Sequence, residues 1–224
     1  MKKYFYNFVL LLKNINNYGI FEIFKIIFYE VFYIMKFNDF NSLSYDDKES
    51  SSYENAKKKD IYNTPYIPTP FYFLKILCLF LKKRKIDNFL ILDLGCGYSR
   101  VQYFFSTYFN SLFLGVDINK KIIQSLKQKK INNAFFSNLD LRKQKNIELL
   151  LKETKKIKKE KKLIVFFSDS FDPNLLKKVL KNLSNKLNFY CILINVKNTL
   201  FLSKKYKTLF IKEFNNSDRN IKIF

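Results

Sequence analysis

From residue 89 onward, apolar runs of strand length alternate with polar segments of helical period. Strands are predicted at 89–94, 112–117, 133–137, 163–168 and 189–196, and helices at 99–109, 119–129, 145–158 and 173–184. Near-continuous apolar strands separated by amphipathic helices are what a parallel sheet covered on both faces requires. The ending breaks the rhythm. Residues 206–214 and 219–224 are strand-like and joined by Asn215, Asn216, Ser217 and Asp218, which predicts a terminal antiparallel hairpin. Upstream, residues 20–37 carry the strongest amphipathic pattern: Glu22, Lys25, Tyr29, Tyr33 and Lys36 share one stripe, while Ile20, Ile23, Phe24, Ile27, Val31 and Ile34 cover most of the rest. Glu22, Lys25 and Glu30 make this helix a poor membrane span, leaving it to lie on a membrane surface or to pack on its own domain or a partner. Residues 38–60 are polar, with serines at 50–52 and lysines at 57–59, and read as a linker. The chain thus divides into an N-terminal extension, 1–60, and a domain, 61–224. Order resumes at Tyr66-Ile-Pro-Thr-Pro-Phe, where Thr69 as N-cap and Pro70 as first helical residue predict a helix over 70–83.

Composition narrows the chemistry. The 224 residues suffice for one ordinary domain with a full core plus an extension. A net charge of +22 would by itself suggest nucleic acid or an anionic surface. Yet arginine occurs only at 84, 100, 142 and 219, and Lys, Asn, Ile, Phe and Tyr, all with A/T-rich codons, are abundant. The lysine excess therefore reads largely as codon bias and a solvated surface, and nucleic acid is not the expected partner. With no histidine, His-based proton relays, Ser-His-Asp triads and His-containing metal sites are excluded. Cys78, Cys96 and Cys191 are widely spaced in apolar segments and read as core residues in a reducing compartment. The apolar run near the N-terminus ends at Lys13 without a small-residue cleavage site, so the expected location is cytoplasmic.

The most informative segment is 90–101, Leu-Ile-Leu-Asp-Leu-Gly-Cys-Gly-Tyr-Ser-Arg-Val, followed by Asp117 in Phe-Leu-Gly-Val-Asp-Ile. An apolar strand leads into Asp93, then Gly95 and Gly97 form a tight turn before a helix. Such a turn leaves backbone N–H groups for a ligand, and an acid ending the next strand can accept two ribose hydroxyls. A nucleoside-containing cofactor is expected. A dinucleotide fingerprint needs a third glycine for helix–strand contact, but position 100 is Arg. Asp93 would repel a pyrophosphate, whereas it suits the ammonium and sulfonium of S-adenosylmethionine.

With these motifs in place, the chain resembles class I S-adenosylmethionine-dependent methyltransferases. More narrowly, it is similar to bacterial proteins with a Tyr-x-Pro-Thr-Pro segment, themselves distantly related to the histone lysine methyltransferases that lack a SET domain. The resemblance spans roughly 60–224. It implies a seven-stranded Rossmann-like sheet, mostly parallel with a C-terminal antiparallel hairpin, plus N-terminal helices. It also implies that Tyr66, Pro68 and Thr69 lie over the cofactor, that Asp93, Gly95 and Gly97 hold its methionine part, and that Asp117 binds the ribose. Asp140 matches a position that meets the adenine amino group, or it caps the following helix. Ile118 and Leu139 wall the adenine, or serve as ordinary packing. Ser99 stands where related sequences have a third glycine, and Asp169-Ser170 replaces the usual Asn-Pro before Phe171. Asp169 is the expected acceptor-facing residue or else a helix cap, with Phe171 and Tyr66 as an apolar rim. The expected activity is methyl transfer to an N or O acceptor, either protein lysine or a glycan or lipid precursor. A catalytically inactive cofactor-binding module and an NAD-dependent oxidoreductase are the alternatives.

Overall fold

The computed structural model describes residues 16–37, 69–168, 172–195, 202, 204, 206–214 and 220–224. In chain order its principal elements are α1 (Ile20–Phe37), α2 (Phe71–Lys83), β1 (Phe89–Leu94), α3 (Arg100–Ser106), β2 (Leu112–Asp117), α4 (Lys120–Gln128), β3 (Ala134–Asn138), α5 (Gln144–Lys158), β4 (Lys162–Ser168), α6 (Pro173–Ser184), β5 (Phe189–Ile194), β6 (Phe210–Glu213) and β7 (Asn220–Ile223). The strands form one seven-stranded sheet in the order β3-β2-β1-β4-β5-β7-β6. The first five strands pair in parallel, and β7 runs antiparallel to both β5 and β6. This is the Rossmann-like architecture expected from the alternation of runs, closed by the expected hairpin; residues 215–218 lie outside the described ones.

Strand periodicity sorts the core into two layers. Phe89, Ile91, Ile164 and Phe166 point to a face packed by α1, α2, α3 and α4. Leu90, Leu92, Leu94, Leu163, Val165 and Phe167 point to the other, packed by α5 and α6. Burying each such side chain contributes about 1.5–3 kcal/mol before the entropy of ordering the chain is charged against it. Cys78, Cys96 and Cys191 are all buried free thiols.

Boundaries shift where side chains compete with propensity. Helix α2 starts at Phe71, leaving Pro70 in the cap position with no side-chain cap. The cap comes from another element: the Glu30 carboxylate accepts the Phe71 N–H at 2.7 Å. Ser99 is left-handed, so α3 begins at Arg100, and it ends at Ser106 rather than 109. Strand β6 is shorter than expected because Tyr206 donates its N–H to the Leu202 carbonyl in a turn.

Helix α1 packs on its domain with Ile23 and Tyr33 buried and Glu22, Tyr29 and Glu30 half-buried, while Lys25 and Lys36 of the polar stripe are exposed. Tyr33 is fully buried, its ring tilted against Phe71 at 5.1 Å between centroids, and its hydroxyl meets that of Tyr108. Glu22 pairs with Lys212 of β6 at 3.3 Å, and Lys212 also donates to the Tyr72 hydroxyl at 3.1 Å. The apolar positions Phe21, Phe24, Phe28 and Met35 are left exposed.

Gly115 in β2 shows how tightly the sheet meets the turn above it. A Cβ there would lie 2.9 Å from both Cys96 Sγ and a Phe136 ring carbon. Gly115→Ala is expected to destabilise the protein by about 1–3 kcal/mol through overpacking, read as a fall in Tm of several degrees by calorimetry.

Candidate cofactor site

The carboxyl ends of β1 to β4 lie along one edge of the sheet, and strand order departs in opposite directions from the central β1/β4 pair. Crevices outside such strand ends are where open α/β sheets take ligands. Asp93, the penultimate residue of β1, sits in register with Gly115 on one side and Phe166 on the other. It is 2 % exposed, and its Oδ2 is buried with no hydrogen-bond partner. Burial pushes its carboxyl well above the ordinary carboxylate range, and the charge of Asp117 adds to the rise. A buried acid without a counter-charge is costly to ionise, so the position favours a cationic ligand group.

The turn above it needs left-handed backbone at Gly95 (φ 87°), Gly97 (φ 49°) and Ser99 (φ 67°). Two of these are glycines; the third is a serine in a conformation that glycine adopts without strain. Ser99 Oγ is also buried and without a hydrogen-bond partner. The expectation that this turn leaves its N–H groups for a ligand needs correction. Gly95 and Cys96 both donate to the Val116 carbonyl, Ser99 donates to the Cys96 carbonyl, and Gly97 donates to Asp117 Oδ2 at 3.0 Å. Four of the turn's N–H groups are thus spent within the protein, which leaves the two acids as its prominent polar groups.

Asp117 closes β2 with its Oδ1 accepting the Asn119 N–H at 2.8 Å. Its burial pushes the carboxyl up, opposed by the N–H groups of Asn119, Gly97 and Ile118. Each carboxylate oxygen accepts more than one hydrogen bond, so these contacts leave acceptor capacity for a diol. Asn138 at the end of β3 donates from its side chain to the Asp117 and Ile118 carbonyls at 2.9 and 2.8 Å, fixing the loop beside Asp117. Ile118 is 44 % exposed at this edge. Leu139 is buried in the core on the α5 and α6 side, which makes it packing rather than an adenine wall. Asp140 is turned to its neighbour: both carboxylate oxygens accept from Arg142, at 2.8 and 2.9 Å, and these bonds hold its carboxyl below the usual range.

Thr69 is buried beside the turn's exit. Its carbonyl accepts from Arg100 Nη1 at 3.2 Å, and the same Nη1 meets Glu30 Oε2 at 2.6 Å. The structure therefore brings together Thr69, Asp93, Gly95, Gly97 and Asp117, with Ile118 at the rim. Tyr66, Pro68, Asp169, Ser170 and Phe171 lie outside the described residues. Helix α6, which follows them, is capped by Asp172, whose Oδ1 accepts from Asn174 and Leu175. Sequence reasoning missed Glu30, Arg100 and Asn138 as parts of this region. Arg100 had left a signal, being one of four arginines in a chain with 41 basic residues.

No family model matches the chain, and no curated protein matches it in sequence. Solved structures do match. An RNA methyltransferase from Salinibacter ruber, crystallised with S-adenosyl-L-homocysteine, is 11% identical with a TM-score of 0.50 over 70% of this chain and 92% of that one. A protein from Thermobifida fusca YX, provisionally assigned as a methyltransferase, is 11% identical with a TM-score of 0.50 over 67% of this chain and 77% of that one. At such identities the likeness is one of fold: a Rossmann-like seven-stranded sheet shared with these two structures.

Proposed function

We propose that the protein binds S-adenosylmethionine at the β1/β2 edge and transfers its methyl group to a nitrogen or oxygen acceptor. The carrying observation is Asp93: an acid sealed under a glycine turn, with an unsatisfied oxygen and a neighbouring acid, suits a ligand with one cationic end and one diol. When bound, the cofactor supplies an electrophilic methyl on a sulfonium. Asp93 then serves the ammonium end, Asp117 accepts the ribose hydroxyls, and Ile118 offers an apolar edge to the base. The protein's remaining task is to align the acceptor and exclude water. For that we assign Asp169 as the acceptor-facing residue, able to accept a hydrogen bond from an amine or take a hydroxyl proton, with Phe171 and Tyr66 as rim. The relation to non-SET lysine methyltransferases belongs to the same reading and rests on the Tyr66-to-Pro70 segment. Purified protein given methyl-labelled cofactor and cell fractions should label an acceptor; binding without transfer would instead identify an inactive cofactor-binding module.

Among acceptors, protein lysine and glycan or lipid precursors rank first, and the outer face of α1 favours a substrate held at a membrane. Phe21 is 79 %, Phe24 and Phe28 each 65 %, and Met35 66 % exposed along one face. A chain of net charge +22 adds attraction to anionic lipid. Among the described residues no helix is long and apolar enough to cross a membrane, so the contact proposed is peripheral. The protein is expected to co-sediment with vesicles containing phosphatidylglycerol more than with phosphatidylcholine alone. Phe24→Glu with Phe28→Glu should abolish this, and equal retention on neutral vesicles would count against it.

Two substitutions test the pocket. Asp117→Ala should weaken binding of S-adenosylhomocysteine by about ten-fold or more, measured by calorimetry, since a charge-assisted hydrogen bond is worth roughly 1.5–3 kcal/mol. Asp93→Asn separates stability from binding. The Asp93 pKa is raised in the fold, so ionisation favours the unfolded chain, and stability present at low pH is lost as pH climbs through the folded pKa. The variant should therefore melt above the wild type at neutral pH. The gap should close near pH ~4, the ordinary carboxylate range, and ligand affinity should be lost.

A further inference from the structure

Two contacts from Glu30 of helix α1, and two more from Arg100, join α1, the 69–71 segment and the exit of the glycine turn. Glu30 Oε1 accepts the Phe71 N–H at 2.7 Å, and Glu30 Oε2 meets Arg100 Nη1 at 2.6 Å. Arg100 also donates to the Thr69 carbonyl at 3.2 Å, and its guanidinium lies 4.3 Å from the centre of the Phe71 ring. The Arg100 side chain is 4 % exposed. One carboxylate from a helix 70 residues upstream thus holds both the backbone at 69–71 and the residue directly after the left-handed Ser99.

We propose that Glu30 is a positioning residue for the cofactor, setting the Thr69–Phe71 segment and the exit of the glycine turn through Arg100. This rests on the cofactor reading above. Three considerations carry it. Glu30 spends both oxygens on this junction rather than on its own helix. Ser99 is held in a backbone conformation that a non-glycine residue adopts only when its neighbours are fixed, and Arg100 is that neighbour. Finally, removing Glu30 takes a carboxylate at 2.6 Å away from a guanidinium that is 4 % exposed, which costs stability at this junction and loosens the hold on the segment that carries it. By linkage, whatever Glu30 gives to ligand affinity, the ligand returns to the docking of α1.

Calorimetry with S-adenosylhomocysteine on the full chain tests this. Glu30→Gln should bind about ten-fold more weakly, within the usual range of coupling between sites, and Glu30→Asp should recover most of the loss. Tyr33→Phe removes the hydroxyl contact with Tyr108 and loosens the same helix elsewhere, so it should bind as the wild type does. In the wild type, ligand should slow amide exchange within residues 20–37; in Glu30→Gln it should not. Wild-type affinity in Glu30→Gln, or equal weakening in Glu30→Gln and Tyr33→Phe, overturns the role of Glu30 while leaving the cofactor reading intact. Wild-type protein that binds no ligand overturns both. Should Glu30→Gln fail to fold, Arg100→Lys carries the same expectation, because it keeps the charge but loses the planar fork and the ring contact.

Discussion

A carboxyl group placed where water cannot reach it governs the rest of this molecule. Asp93 lies on the central strand between Leu92 and Leu94, both buried in the core, so the sheet fixes its backbone and keeps it 2 % exposed at the carboxyl edge of the sheet. The fold carries an unfavourable group at its centre and offsets it with the apolar burial around it. Everything nearby is arranged to leave that group unsatisfied. The glycine turn spends its own N–H groups on Val116, Cys96 and Asp117 rather than on Asp93, and the neighbouring acid raises the cost of ionisation. In the proposed function, this lack of internal pairing is what a cationic ligand group would answer.

Helix α1 docks through a mixed face, in which Ile23 is buried and Ile26, Ile34 and Phe37 pack against the core beside polar contacts. Its tyrosines and acids face the domain, where each finds a specific counterpart: Tyr33 with Tyr108, Glu22 with Lys212, Glu30 with Phe71 and Arg100. These contacts are directional, so they fix the helix in one register where a greasy face would allow sliding. The apolar residues turned outward are then available for other company.

The elements of the sheet were plain in the sequence because buried parallel strands are short apolar runs bounded by polar helices. β1 and β2 fall at the expected residues, and their ends carry the acids that define the site. What escaped was contact between distant segments. The start of α2 was assigned to Thr69 and Pro70 from local capping rules, yet the cap comes from Glu30, which no local pattern reveals. The inward face of α1 was invisible for the same reason, since hydrophobicity ranks Phe24 above Glu30 without knowing that Arg100 is buried opposite. Likewise, a free set of turn N–H groups is what the generic strand, turn and helix suggest, whereas Gly95, Cys96 and Gly97 donate to β2 and Ser99 donates back to Cys96.

The near-contact between Gly115 and the Cys96 sulfur means that two positions on separate strands and turns share a single parcel of space. Neither can enlarge alone. A side chain at 115 needs room from Cys96, Phe136 and Phe113 together, so changes at these positions are coupled, and libraries that vary them independently will be depleted in viable members.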